Sequence, residues 1–100
     1  MNFFSLGTIV ELNNGPKVMI IGYYPLLIEK KKIYDYLGCY YPYGVLDSSK
    51  SISFNQKDVK KVIWERKNDE EMESVFAKLK LFDENKKKEL LQNILDKKDS

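Results

Sequence analysis

The chain reads as an α+β domain: a small, strongly curved antiparallel β-sheet or SH3-like barrel followed by two C-terminal α-helices. Three observations predict this. Before Arg66 the apolar residues are β-branched or aromatic and fall in short runs separated by Gly, Pro, Asn and Ser, the punctuation of a β-rich body. After Arg66 there is neither Gly nor Pro, and the apolar residues space out at helical intervals. A chain of 100 residues supplies one core, so the β-rich body (1–66) and the helical tail (67–100) are expected to form a single domain.

The elements follow in order. Leu6 to Leu12 alternates in period two, with Leu6, Thr8, Val10 and Leu12 on one face and Gly7, Ile9 and Glu11 on the other, which predicts the first strand. Asn13-Asn14-Gly15-Pro16 predicts a tight connection into a second strand over 17–24. The unbroken apolar run Val18 to Ile21 fits a strand covered on both faces. Pro25 to Lys32 reads as a long exposed connection, with Leu26-Leu27-Ile28 also suited to extending a strand. A third strand is expected over 33–41, ending in a turn at Pro42-Tyr43-Gly44. A short strand over 51–54, a helical turn capped within Asn55-Gln56-Lys57-Asp58 and a last strand over 59–65 complete the body. Five short strands with a helical turn before the fifth is the order of a small SH3-like barrel.

In the tail, Asn68 or Asp69 is expected to cap a first helix whose early acidic residues suit its positive end. Met72, Val75, Phe76 and Leu79 fall on one face of it. Leu81-Phe82-Asp83 breaks the run, and Asp83 opens a second helix with the stripe Leu90, Leu91, Ile94 and Leu95. Such a short helix is marginal alone, so that stripe either docks on the body or meets a partner helix.

Composition narrows the function classes. There is no His, which removes the commonest general base and the commonest zinc ligand, and the single Cys39 can build neither a disulfide nor a structural zinc site. No Walker loop, dinucleotide fingerprint or calcium loop is present. Asp35, Asp47 and Asp58, the carboxylates left for acid–base work, read as turn and capping residues. No enzyme activity, cofactor, metal or small-molecule substrate is therefore expected. The N-terminus lacks a basic region ahead of its apolar residues, and no apolar run approaches the ~20 residues that span a bilayer. A cytoplasmic protein without a membrane partner is the expectation, in keeping with its lone thiol.

Seven tyrosines are many for this length, and Tyr34, Tyr36, Tyr40, Tyr41 and Tyr43 lie within ten residues. In an alternating strand Tyr34, Tyr36 and Tyr40 share a face, either as an exposed aromatic platform or as a core wall whose hydroxyls reach solvent. A platform would recognise protein, where Tyr is enriched, or stack the bases of a single strand. A net charge of +2, one Arg, and Lys clusters at Lys30–Lys32 and Lys86–Lys88 that do not interleave with aromatics argue against nucleic acid.

Four blocks carry a resemblance. Leu6-Gly7-Thr8-Ile9-Val10-Glu11-Leu12, Val18-Met19-Ile20-Ile21-Gly22, Tyr34-Asp35-Tyr36-Leu37-Gly38-Cys39-Tyr40-Tyr41-Pro42-Tyr43-Gly44 and Phe54-Asn55-Gln56-Lys57-Asp58-Val59-Lys60-Lys61-Val62 occur in this order. Together they resemble a short Firmicute domain of unknown function encoded beside LXG-toxin loci of the type VII secretion system. The resemblance covers about residues 6–66, with Glu29–Lys32 standing as an insertion. It implies a chaperone or targeting adaptor that binds an LXG-type toxin or its small helical co-factors. An immunity protein that neutralises a cognate toxin is the alternative, and a single-stranded nucleic-acid module a weaker one. The residues expected to meet the partner are Tyr34, Tyr36, Tyr40, Tyr43 and Trp64 in the body and Leu90, Leu91, Ile94 and Leu95 in the tail.

Overall fold

A computed structural model of the chain describes residues 2–45, 47, 50–82, 89, 92 and 93. Its order is β1 (Ile9–Leu12), β2 (Lys17–Tyr23), β3 (Leu26–Leu27), β4 (Lys32–Ile33), β5 (Tyr36–Tyr40), β6 (Ser51–Phe54), a 3-10 turn (Gln56–Asp58), β7 (Val59–Trp64) and α1 (Glu70–Leu81). By contacts the chain divides into two compact units: one of residues 1–25 and 34–68, the other of residues 26–33 and 69–100.

The first unit is a five-stranded antiparallel sheet in the order β6-β5-β2-β1-β7. This corrects the expected barrel. The strands stand side by side as an open sheet with β6 and β7 as its two edges, and among the described residues no ladder joins them. The residues that link those edges are committed elsewhere. Gln56 N donates to the Asp35 carboxylate (2.9 Å), Asn55 N to the Asp58 carboxylate (2.9 Å) and Asp58 N to the Asn55 carbonyl (2.9 Å). The chain there turns away from a β6–β7 ladder.

Local chemistry explains the strand limits. Alternation suggests a start at Leu6, but Gly7 holds φ +91° while its N–H bonds the Ile20 carbonyl (2.8 Å), so the ladder begins at Ile9. The β1–β2 connection forms where Asn13 to Pro16 places it, with Gly15 at φ +107° and its N–H on the Leu12 carbonyl (2.9 Å). Between β2 and β5 the register shifts at Ile21, which lies between the pairs Ile20↔Gly38 and Gly22↔Leu37. Gly38 is required by contact: a Cβ there would stand 3.0 Å from the Phe54 ring and 3.1 Å from the Met19 carbonyl.

The core of this unit is Val10, Leu12, Val18, Ile20, Tyr36 and Phe54, with Phe3, Phe4, Leu6, Tyr23, Ile52 and Val59 packed against it. Phe3 meets Tyr23 and Tyr36 edge-on, and Phe4 stacks on Tyr36 with ring centres 5.9 Å apart. Phe3 and Phe4 precede the first strand and carry no periodicity, so nothing in the pattern marks them as core.

The second unit holds a β3–β4 hairpin, paired Leu26↔Ile33 and Leu27↔Lys32, and the helix α1. The hairpin replaces the long exposed connection expected over 25–32, and β4 takes Ile33 out of the continuous third strand expected there. Asp69 caps α1, accepting from Met72 N at 2.8 Å. Met72 is buried, whereas Val75, Phe76 and Leu79 are half-buried. The expected pair of C-terminal helices is corrected too: among the described residues α1 is the one helix delineated, and the chain is mostly β, with seven strands in two sheets. The stripe Leu90, Leu91, Ile94 and Leu95 lies outside the described residues.

Candidate protein-interaction surface

The tyrosines expected to share one face separate into two roles. Tyr36 is fully buried. Its hydroxyl donates to Gln56 Oε1 and accepts from Phe4 N (3.2 Å), and its ring stacks on Phe54 with centres 5.4 Å apart. The platform of Tyr34, Tyr36 and Tyr40 is corrected accordingly: Tyr36 is a core residue. Tyr34 is half-buried, its N–H on the Pro25 carbonyl (3.1 Å) just ahead of β5. Burial pushes the Tyr36 phenol from its ordinary 10.0 up to about 12; Phe4 backbone bonding opposes this, while Asp35, Tyr23 and Tyr24 add to it. Tyr23, whose hydroxyl donates to the Phe4 carbonyl, also rises to about 12 by burial, against backbone bonding at Leu6 and the charge of Arg66.

Signature residues of two sequence blocks lock onto each other around Tyr36. Asp35 accepts from Gln56 N, and its own N–H donates to Asn55 Oδ1 (3.0 Å). Tyr-Asp-Tyr and Phe-Asn-Gln-Lys-Asp, about twenty residues apart, thus form one polar latch over the aromatic core. These groups satisfy one another, which is a structural role.

The exposed apolar side chains of this unit lie elsewhere. At the end of β5, Tyr40 and Tyr41 are exposed, and beyond them Tyr43 (71%) and Val45 (59%) stand well out. A turn fixes this segment: Tyr41 N bonds the Lys17 carbonyl (2.9 Å), Gly44 N bonds the Tyr40 carbonyl (2.9 Å), and Gly44 takes φ +74°. On edge strand β7, Val62 (39%), Ile63 (40%) and Trp64 (56%) are exposed in sequence. Tyr40, Tyr43 and Trp64, among the expected partner residues, are therefore at the surface. Tyr41, although part of the tyrosine cluster, and Val45, Val62 and Ile63 are not among the expected partner residues; their exposure depends on where strands end and which of them lie at an edge, which no local pattern reports.

A cleft of about 340 Å³ opens between β6 and the β1–β2 connection, lined by Leu12, Asn13, Asn14, Ile52, Ser53, Phe54 and Asp58. Asn13 Nδ2 is spent on the Lys57 carbonyl (3.1 Å) and the Asp58 carboxylate on Asn55 N, so its amide and acid already serve the fold. Among the described residues no group of three acidic, Cys or His side chains converges to hold a metal. No helix among them is long and apolar enough to cross a membrane.

No curated protein and no solved structure matches the chain. A family model does match, over residues 3–75, running from the Phe3 that packs on Tyr23 to Val75 in α1. The chain belongs to the family described as Domain of unknown function (DUF4176).

Proposed function

We propose that this chain is a non-enzymatic, cytoplasmic protein-binding factor, a chaperone or targeting adaptor for an LXG-type toxin of a type VII secretion system. The observation that carries the reading is the turn after β5. Tyr40, Tyr41, Tyr43 and Val45 are exposed on a segment pinned by backbone hydrogen bonds at both ends. Rigid, exposed tyrosines are the side chains that anchor protein interfaces, because they bury large area with little rotamer entropy to lose. The four sequence blocks supply the partner class, and the engagement of Asp35, Asn55, Gln56 and Asp58 in the fold supports binding over catalysis.

Co-expression of the tagged chain with an LXG protein, divided into its N-terminal targeting region and its C-terminal toxin domain, tests the proposal. Co-purification with the N-terminal region is the expected result. Capture of the toxin domain with survival of cells expressing it would replace the adaptor by an immunity protein. A chain recovered alone from both would overturn the reading.

A further inference from the structure

We infer that the cleft beside β6 is a peptide site, where an extended segment of another polypeptide pairs antiparallel with the β6 edge and sets a basic side chain against Asp58. β6 has one ladder neighbour, β5, and its other edge is open among the described residues. Which of its backbone groups face outward follows from parity along β5. The Asp35 carbonyl accepts from Tyr24 N (3.1 Å), and Tyr41 N donates to the Lys17 carbonyl (2.9 Å). Asp35, Leu37, Cys39 and Tyr41 therefore turn toward β2, and Tyr36, Gly38 and Tyr40 toward β6. Tyr36 and Gly38 exchange hydrogen bonds with Phe54 and Ile52, while Ser53, opposite Leu37, points its N–H and carbonyl away from β5. Among the described residues no other backbone group takes them up.

The cleft supplies the side-chain half of the site and selects the occupant by charge. Its volume, about 340 Å³, lies within the range of ligand pockets. Leu12, Ile52 and Phe54 give it apolar surface, and half-buried Asp58 is the single charged residue in its lining. The Asp58 carboxylate spends Oδ2 on Asn55 N; among the described residues Oδ1 accepts no bond and meets no cation. Asn13 has the same bias, because its Nδ2 is committed to the Lys57 carbonyl and its Oδ1 is left as an acceptor. Of the nearby cations, Lys57 is exposed and outside the lining, and Lys60 Nζ is paired with Glu11 at 3.7 Å. An unspent carboxylate oxygen and an amide oxygen above an apolar floor favour a cation on an aliphatic stem, which is a lysine or arginine side chain.

Alternation fixes the register. A residue of the added strand opposite Ser53 exchanges both hydrogen bonds with it and shares its face of the sheet. The residues on either side of that one share the face of Phe54 and Ile52, and so project toward the cleft. Phe54 adjoins the turn that carries Asp58, which puts the basic residue opposite Phe54 and an apolar residue opposite Ile52. Every ladder of this sheet is antiparallel. In that direction the segment reads basic, any, apolar from its N-terminal side.

Nuclear magnetic resonance of the isotope-labelled 100-residue chain, titrated at low salt with the end-capped peptide Thr-Thr-Lys-Thr-Ile-Thr-Thr to about 5 mM, tests the inference, since short strand additions are weak and their charges screened. The expected result is a saturable shift of the Ser53 and Asp58 amides, with hydrogen exchange at Ser53 slowed by the added strand. A peptide with Glu in place of its Lys should bind about tenfold or more weaker. So should Thr-Thr-Lys-Ile-Thr-Thr-Thr, which sends the two side chains to opposite faces. In the protein, Asp58→Asn keeps an oxygen for Asn55 N and removes the charge, and should weaken the Lys peptide about tenfold while leaving the Glu peptide unpenalised. Ser53→Pro deletes an outward N–H that β5 does not use and should abolish the shifts of every peptide. Circular dichroism of each variant separates loss of binding from loss of fold. No saturable shift at Ser53, or equal affinity for the Lys and Glu peptides in the wild-type chain, would overturn the inference. The adaptor reading, which rests on the turn after β5, is untouched by either result.

Discussion

Tyr36 shows how one residue can hold a sheet through both of its chemistries. Its ring lies in the core against Phe4 and Phe54, and its hydroxyl ties Gln56 to the Phe4 backbone. Tyr36→Phe keeps the ring and removes two hydrogen bonds to part-buried partners, so urea unfolding should show a loss of about 1–3 kcal/mol. The ionisation of the same hydroxyl gives an alkaline limit. Unfolded tyrosines lose their protons near 10.0, whereas folded Tyr36 and Tyr23 keep theirs to about 12. Stability from these two groups is complete below pH 10 and is lost as pH rises through 12, because the unfolded chain releases protons first. Urea midpoints should fall between about pH 9 and pH 11.5, and fall less in the Tyr23→Phe/Tyr36→Phe double variant. An equal fall in both proteins would remove these phenols as the cause. From sequence Tyr36 fits either a platform or a core wall, since alternation fixes which residues share a face but not which face the core takes.

At the scale of elements, legibility follows local chemistry. The β1–β2 hairpin, the turn at Asn55 to Asp58 and the Asp69 cap are written in adjacent residues, and each sits where those residues place it. The β3–β4 hairpin hides behind a charged stretch because Glu29-Lys30-Lys31-Lys32 carries no turn glycine. The chain makes the turn regardless, with Lys31 held at φ +51° and its N–H on the Ile28 carbonyl (3.1 Å). A side chain in that left-handed region is strained, and glycine relieves it. Lys31→Gly should raise stability by up to about 1 kcal/mol, partly offset by the entropy of the unfolded glycine, and should leave the fold unchanged by circular dichroism. Destabilisation by that variant would mean that Lys31 serves the hairpin through its side chain. Barrel closure is not legible at this scale, because order along the chain does not say whether the first and last edges meet.

Across the whole molecule, the tyrosines divide by burial into those that make the fold and those that stand at the surface, and the division can be measured. Tyr23 and Tyr36 join the aromatic core and its polar latch, so removing their rings should unfold the first unit. Tyr41 and Tyr43 have their side chains in solvent, with the turn that presents them held by backbone bonds. Tyr41→Ala/Tyr43→Ala should therefore shift stability by no more than a surface change does, about 0.5 kcal/mol by urea unfolding. Under the adaptor proposal the same variant should weaken capture of an LXG N-terminal region by about tenfold or more, as truncation of central aromatic anchors does. Titration calorimetry with that region reads the loss directly. Full affinity with both rings removed would show that the exposed tyrosines are only surface, and would move the search for the partner site to the tail beyond α1.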